Sequence, residues 1–201
     1  MYLVTDAGLC HIMRPIIKRS KEPLEVNFMK KGIRNGLYMK PNQLWTANHH
    51  MILDILFDYR YKTKKTSITI KEMKKLYPFL NLRPYQVIKC LNDISSLKFN
   101  MYRYPGICTK LLSFTYDDKV IDFDLIELKG RSYIPSELYS MKDYTQFIYR
   151  NFCSYTFKCK FINKKSLLNY LKLKNERCLK IYIDELSKLK TPKLNIKMDA
   201  K

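Results

Sequence analysis

Residues 87–97 of the chain read VIKCLNDISSL, and residues 179–189 read LKIYIDELSKL, 92 positions further along. In each stretch the apolar residues recur every three or four positions, which is the spacing of an amphipathic α-helix. Two helices of one design are therefore predicted in two parts of the chain. The matched apolar positions are Val87, Leu91, Ile94 and Leu97 in the first stretch and Leu179, Ile183, Leu186 and Leu189 in the second.

The match continues upstream of these helices at the same offset and without a gap. One helix can match another by chance, but three successive elements that keep their spacing indicate an internal repeat. The matched positions are Ile55-Leu56 with Phe147-Ile148, Ile70 with Ile162, and Leu76 with Leu168.

The first copy is predicted to contain a helix, a short strand, two further helices and a β-hairpin. Thr46 or Asn48 can cap the first helix, because both side chains accept hydrogen bonds from free backbone N–H groups. The second helix should stop before Pro78, and Pro84 suits the first turn of the third. The predicted bounds are Ser67–Ile70 for the strand, Lys71–Leu76 for the second helix, Pro84–Leu97 for the third, and Lys110–Thr115 and Val120–Leu125 for the hairpin.

The second copy is predicted to repeat this order with a less complete hairpin. Helices are expected over Asp143–Tyr155, Lys164–Leu171 and Asn175–Leu189, with a short strand at Lys160–Ile162. Leu194–Met198 alternates like a strand, so this copy would carry a single wing strand.

The order of helix, strand, helix, helix and hairpin is that of a winged helix, a helix-turn-helix variant whose third helix enters the major groove of DNA. We expect a helix-rich α+β fold with two tandem winged-helix units related by the internal repeat. The first unit would span residues 44–135 and the second residues 136–201. Residues 1–43 would form a basic N-terminal arm, in which Leu24–Phe28 and Leu37–Met39 can pair as a hairpin.

The net charge of the chain is +20, from 38 Lys and Arg residues against 18 Asp and Glu. Such an excess opposes folding by self-repulsion, whereas a phosphate backbone neutralises it and gains free energy from released counterions. The chain is also 46% hydrophobic, which excludes a disordered basic tail. A nucleic-acid partner is therefore predicted, and a lysine-rich surface inherited from an AT-rich genome is the alternative.

The third helix of the second copy carries the best candidates for DNA contact. From Thr156 to Lys201 the chain has 13 basic and four acidic residues. Arg and Lys bind guanine edges or phosphates and Asn can bind adenine, whereas an ordinary solvated helix face is the alternative. The predicted DNA-binding residues are Lys164, Lys165, Lys174, Asn175, Arg177, Lys180, Lys193 and Lys197 in the second copy, and Arg83, Gln86 and Lys89 in the first.

The predicted hairpin of the first copy is acidic. Tyr116–Glu127 holds five acidic residues against one lysine, and phosphates would repel it. We expect this hairpin to face away from DNA and to bind protein, as a homodimer contact or to another partner. A solvated acidic edge that prevents sheet aggregation is the alternative. The predicted interface residues are Asp117, Asp118, Val120 and Asp122.

Motifs of catalysis, metal binding and membrane insertion are not found in the sequence. The six cysteines form no CxxC pair, so no metal and no other cofactor is expected. His49-His50 lies at a predicted helix start, where a capping or surface role is expected. Neither a phosphate-binding glycine loop nor HExxH occurs, which predicts a protein without catalytic activity. No signal peptide or membrane span is recognisable, so a cytoplasmic location is expected.

This arrangement resembles the theta-type plasmid replication initiators, which bind iterons through tandem winged helices. The resemblance implies that the second unit makes the main sequence-specific contact, while the first adds DNA contact and mediates dimerisation. The chain departs from that pattern by ending after one predicted wing strand, so a truncated or divergent relative is an open alternative. The segments that carry the resemblance are the arm before Leu44-Trp45-Thr46, Phe114–Phe123 followed by Ile134-Pro135, and Phe147–Arg150 with Ile162–Leu171.

Three functions fit these observations. The first is an initiator that binds repeated duplex sites at an origin and recruits host replication proteins. The second is a winged-helix transcriptional repressor, and the third is a basic module that binds another protein. Aromatic residues interleaved with lysines could also bind single strands by stacking, but most of these aromatics sit at core spacing, which favours duplex DNA.

Overall fold

The computed structural model of the chain describes residues 1–6, 24–30, 33–39, 45–101, 108–126, 131–150, 164–171, 173 and 175–189. These residues form six α-helices, one 3-10 helix and three small sheets, which confirms the predicted α+β class. The strands are β1 (Tyr2–Asp6), β2 (Leu24–Lys30), β3 (Ile33–Met39), β4 (Ser67–Thr69), β5 (Lys98–Met101), β6 (Cys108–Lys110), β7 (Leu112–Asp117), β8 (Val120–Leu125) and β9 (Arg131–Pro135). The α-helices are α1 (Ala47–Thr63), α2 (Ile70–Leu76), α3 (Pro84–Ser95), α4 (Asp143–Ile148), α5 (Lys164–Leu171) and α6 (Glu176–Leu186), and the 3-10 helix is Ser136–Ser140.

The helices and strand of the first copy follow the predicted order. Thr46 is the N-cap of α1, and its backbone N–H donates to Nδ1 of His49 at 3.0 Å. The hydroxyl of Thr69 caps α2 by accepting from the N–H of Glu72 at 3.1 Å. Because of that cap, Ile70 opens α2 instead of closing the strand as predicted.

The predicted hairpin is formed by β7 and β8, and β4 pairs with the other edge of β8. Asp118 and Lys119 connect the two strands with φ angles of 44° and 69°. Two successive positive φ angles give the tight two-residue turn whose twist matches that of paired strands. β7 begins at Leu112, later than predicted, because Lys110 ends the separate strand β6.

The N-terminal region is tied to the rest of the chain by two sheets. β2 and β3 form the predicted hairpin, with Leu24 opposite Met39, and β3 also pairs with β5. β1 pairs with β9, which places Leu3 opposite Ile134. The long-range pairings could not be predicted, because partners far apart in sequence leave no local pattern.

Two hydrophobic clusters form the core of the described residues. The first lies between α1, α2, α3 and the β4-β8-β7 sheet and includes Ile52 and Ile55 of α1. The second joins α4, α5 and α6 and includes Ile148, Leu167 and Leu179. Each cluster holds one set of three helices together.

The helices of the second copy begin at or next to the predicted residues, but α6 ends at Leu186 and not at the predicted Leu189, because residues 187–188 form a turn. In the first copy, α3 likewise ends at Ser95 and not at the predicted Leu97. α5 has the predicted ends, and α6 begins after Asn175, which is its N-cap. Val87 and Ile94 of α3 are buried, and so are Leu179 and Leu186 of α6, which lie 92 residues later. The remainder of the predicted helix Asp143–Tyr155 beyond Arg150 and the predicted strands Lys160–Ile162 and Leu194–Met198 lie outside the described residues.

Candidate nucleic-acid interface

The outward face of α6 carries two of the basic residues that were predicted to bind DNA, Arg177 and Lys180. Asn175 caps the helix, since its Oδ1 accepts from the N–H of Arg177 at 2.8 Å. Arg177 and Lys180 are exposed, whereas Leu179 and Leu186 on the opposite face are buried. The N-terminal half of α6 therefore exposes two cations, while the opposite face of the helix is packed in the core.

The start of α5 lies beside the start of α6. The ammonium group of Lys164 forms an ion pair with the carboxylate of Glu176 in the first turn of α6. This contact brings Lys164 next to the cap of α6, while the neighbouring Lys165 is exposed. The predicted DNA-binding residues Lys174, Lys193 and Lys197 lie outside the described residues.

The last turn of α6 is fixed to the first turn of α4. The carboxylate of Glu185 accepts from the backbone N–H of Lys142 at 3.1 Å and from the hydroxyl of Thr145. The rings of Tyr144 and Tyr182 pack beside this contact, with centroids 5.2 Å apart. Polar and apolar contacts together set the direction in which α6 points.

The N-terminus of α3 has a similar outward surface. Pro84 occupies the first turn, as predicted, and Oε1 of Gln86 accepts from the backbone N–H of Arg83 at 2.8 Å. Arg83 and Lys89 are exposed, and Tyr85 is 63% exposed. Arg83 and Lys89 are thus available for contact, whereas the oxygen of Gln86 is occupied by the cap.

The last turn of α3 is fixed to the first turn of α1 in the same way as α6 is fixed to α4. Oδ2 of Asp93 lies 3.2 Å from Nε2 of His49, the third residue of α1. Glu185, which lies 92 residues after Asp93, contacts Thr145, the third residue of α4. An acidic residue in the third helix thus holds the cap of the first helix in both sets.

The β7–β8 hairpin exposes its acidic residues. Asp117, Asp118 and Asp122 are exposed and Val120 is half-buried. The carboxylate of Asp117 accepts from the N–H of Asp118 at 2.9 Å, and that of Asp122 accepts from the hydroxyl of Ser67 on β4. The four predicted protein-interface residues therefore share one hairpin with an acidic surface.

A buried polar network centred on α1 connects the two sets of helices. Asp54 accepts from the hydroxyls of Thr5 at 2.6 Å and Tyr139 at 2.7 Å, and it pairs with Arg150 at 2.5 Å. Burial and the adjacent Asp54 carboxylate raise the pKa of Tyr139 well above its ordinary value. The salt bridge joins α1 to Arg150, two residues beyond the end of α4, so it fixes the two sets relative to each other.

Asp58, one turn further along α1, has its own buried partners. Its carboxylate accepts from the backbone N–H of Val4 at 2.8 Å, from Lys62 at 2.8 Å and from the hydroxyl of Tyr77 at 3.0 Å. Burial first, and then Asp58, raises the pKa of Tyr77. These aspartates were missed at the sequence level, although two carboxylates four residues apart in an apolar helix are a recognisable signal.

The histidine pair at the start of α1 has a structural role. His49 takes part in the predicted cap, and its ring stacks on Trp45 with centroids 5.1 Å apart. His50 lies between the rings of Trp45 and Phe147, and both histidines are buried instead of lying at the surface. In the part of the chain that the structure describes, no group of side chains could hold a metal ion, and no helix is long and apolar enough to cross a membrane.

Comparisons with known proteins identify a related fold. No protein-family model and no curated protein sequence matches the chain. Among solved structures, the crystal structure of domains 2 and 3 of RctB matches with a TM-score of 0.58 and 12% sequence identity. The match covers 90% of this chain and 84% of that chain. At this level of identity, the likeness shows that the fold is shared.

Proposed function

We propose that this chain is a sequence-specific double-stranded DNA-binding protein that initiates replication by binding repeated sites at an origin. The observation that carries the proposal is the outward face of α6, where Arg177 and Lys180 are exposed on a helix that is capped and packed from behind. Basic side chains near the N-terminus of a packed helix are how helix-turn-helix proteins contact base edges in the major groove.

In this proposal α3 and α6 are the recognition helices of two winged-helix units. The first unit consists of α1, α2 and α3 with the β4-β8-β7 sheet, and its order of elements supports the assignment. The second consists of α4, α5 and α6. Its relation to the first is supported by Asp93 and Glu185, which hold the cap of the first helix in each set.

The shared fold supports the replication role in particular. The RctB domains belong to a replication initiator, and the likeness extends over most of both chains. The resemblance of the sequence to theta-type plasmid initiators points to the same activity. Repeated sites at an origin are therefore the proposed target.

The acidic hairpin gives the proposed first unit one surface that should not contact DNA. Asp117, Asp118 and Asp122 would repel phosphates, so the hairpin faces away from DNA. Among the described strands, β7 lies at the edge of its sheet, and an edge strand offers one row of backbone groups for pairing. We therefore assign the hairpin to protein contact, either in a homodimer or with a host replication protein.

The test is selection of bound sequences from random duplex DNA by the full chain at two salt concentrations. We expect one motif that persists at the higher salt, because base contacts are less sensitive to salt than phosphate contacts. Copies of that motif spaced by about two helical turns, roughly 20 base pairs, beside the gene would support an initiator. A single palindrome over the promoter would instead assign a repressor, and enrichment of no motif would overturn sequence-specific binding.

Substitutions in α6 test the proposed recognition helix on the selected site. Arg177→Ala and Lys180→Ala should each weaken specific binding by about 1–3 kcal/mol if the side chains contact bases. Lys188→Ala is the matched control, because Lys188 is an exposed cation just beyond the end of α6. Fluorescence anisotropy measures the three affinities, and unchanged affinity for both α6 variants would rule out this helix.

A further inference from the structure

A cleft of about 490 Å³ opens between the C-terminal half of α1 and strands β1 and β9. Its volume is in the range of small-ligand sites. The cleft is separate from the outward faces of α3 and α6, since neither helix contributes a lining residue. The polar lining residues on which its chemistry depends are Asp6, Arg60, Tyr61, Lys64, Thr66 and Arg131.

The ring of Tyr61 organises two of the cations in this cleft. Arg131 donates to the hydroxyl of Tyr61 at 2.8 Å, and its guanidinium carbon lies 4.3 Å from the ring centroid. The ammonium nitrogen of Lys64 lies 4.9 Å from the same centroid. Both cations sit over the ring, so Tyr61 positions charge and is not an open stacking surface for a base.

Two cations of the cleft, Lys64 and Arg131, are not neutralised in the way that the buried charges of α1 are. Asp58 has Lys62 as its cation, but in the described part of the chain no carboxylate forms an ion pair with Lys64 or Arg131. Arg60 donates to the carbonyl oxygen of Leu125 at 2.7 Å and pairs with the carboxylate of Asp124 at 3.9 Å. The lining then includes one carboxylate, that of Asp6, against the two cations Lys64 and Arg131, so it carries more positive than negative charge.

Stabilisation of the C-terminus of α1 explains only part of this arrangement. Arg60 and Lys64 lie in and just after the last turn, where cations interact favourably with the helix dipole. Arg131 comes from β9, 70 residues away from Tyr61, and has no such role. Because positive charges from two elements meet in a concave site, the electrostatic potential is strongest within the cleft.

We propose that this cleft binds a phosphate group. Arg131 supplies a guanidinium fork and Lys64 an ammonium group, which are the side chains that bind phosphate oxygens most strongly. The hydroxyl of Thr66 in the lining is a further donor. The phosphate belongs either to the backbone of bound DNA or to a free phosphorylated molecule. The inference goes beyond the proposed function and does not depend on α3 or α6.

The test compares the full chain with Lys64→Gln/Arg131→Gln and with the control Lys119→Gln/Lys142→Gln. Both double variants remove two exposed cations, and the control residues lie outside the cleft. One arm measures affinity for two duplexes of unrelated sequence over a series of salt concentrations. The other arm measures the thermal midpoint of unfolding in inorganic phosphate against sodium chloride of equal ionic strength. Unfolding in chloride alone checks that each variant is folded.

If the phosphate is that of DNA, the cleft variant should bind both duplexes about 3- to 10-fold more weakly, with a shallower salt dependence than the control. If it is a free phosphate, DNA affinity stays at the control value, but phosphate raises the midpoint of wild type and control and not that of the cleft variant. The proposal is overturned if the cleft variant equals the control in both arms. This result would not change the interpretation of the α6 variants. If the α6 variants instead show no loss of DNA affinity, the phosphate measurement still tests the cleft independently.

Discussion

Asp54 and Arg150 form a salt bridge at a site where both side chains are only 1% exposed. Moving two charges out of water costs several kcal/mol per ion, so the pair is tolerable because hydroxyls satisfy the remaining lone pairs of Asp54. Thr5 and Tyr139 supply those hydroxyls. Three separate segments therefore contact one carboxylate. Loss of Asp54 or of its partner Arg150 should lower the stability of the whole molecule.

Replacing Arg150 with Met should lower the free energy of unfolding by about 3–5 kcal/mol, because Asp54 would remain buried without a cation. Lys62→Met is the matched control. It takes the cation from Asp58, but Lys62 is half exposed and Asp58 keeps its bonds to Val4 and Tyr77, so we expect a loss below about 1 kcal/mol. Urea unfolding measures both variants, and equal losses would contradict the proposed importance of the buried pair.

The buried environment of His50 should make the free energy of unfolding depend on pH. Burial, the positive charge of Arg150 and the neighbouring His49, in that order, lower the pKa of His50 well below the ordinary value of 6.5. Among the described residues its Nε2 has no hydrogen-bond partner, and aromatic rings lie on two sides. The imidazole is therefore neutral in the folded protein under conditions where the unfolded chain would protonate it.

The free energy of unfolding should fall as the pH drops below about 6.5, because the unfolded chain then binds a proton that the folded protein excludes. Above that pH the full contribution of His50 is present. His50→Phe keeps a ring beside Trp45 and Phe147 and removes the titration. Urea unfolding at about pH 5 and about pH 8 should show a smaller difference for this variant than for wild type. The same difference in both proteins would show that other groups cause the pH dependence.

At the scale of elements, α3 and α6 share more than their apolar spacing. Each begins with a cap in which a side-chain oxygen accepts from a backbone N–H: Oε1 of Gln86 accepts from Arg83 in α3, and Oδ1 of Asn175 accepts from Arg177 in α6. Since these oxygens are occupied, the two amide residues are weaker candidates for base contact than their sequence suggested. The exposed cations Arg83, Lys89, Arg177 and Lys180 are therefore stronger candidates for DNA contact than the two amides.

The β7–β8 hairpin can be tested as an element. Asp117→Lys with Asp118→Asn reduces its negative charge, and Asn suits position 118 because it tolerates the positive φ of 44°. If the hairpin faces away from DNA and contacts protein, as proposed, DNA affinity should equal that of wild type or be stronger, and the oligomeric state in sedimentation should change. Glu137→Lys is the control for a nonspecific change in charge, because Glu137 is exposed on the 3-10 helix. A strong loss of DNA affinity in the hairpin variant alone would contradict this orientation.

Local signals in the sequence predicted the helices better than the sheets. The ends of α5 and the start of α3 follow from apolar spacing and from Pro84, which act within a few residues. The pairing of β1 with β9 connects residues such as Leu3 and Ile134, and no local pattern encodes it. The cleft escaped prediction for the same reason, because Arg131 reaches Tyr61 only after this pairing is made.

At the scale of the molecule, the net charge of +20 is distributed unevenly. Arg177 and Lys180 place two exposed cations on the N-terminal half of α6, and the hairpin is acidic at Asp117 and Asp118. Lys64 and Arg131 place positive charge in the cleft between α1 and β9. An excess of lysine from genome composition alone would not separate charges of opposite sign onto different elements. The separation therefore favours surfaces with different partners over a uniformly basic exterior.

If α3 and α6 are the recognition helices, as proposed, their attachment to one frame predicts that both contact the same duplex. The salt bridge between Asp54 and Arg150 fixes the frame, so losses in α3 and α6 should add if each helix makes its own contacts. We expect Arg83→Ala/Lys89→Ala to weaken binding to the selected site and to shorten the protected footprint at one end. Combining it with Arg177→Ala/Lys180→Ala should give the sum of the two free-energy losses within about 0.5 kcal/mol. If the α3 variant keeps wild-type affinity and footprint, α6 alone reads DNA, and the first unit serves protein contact through its acidic hairpin.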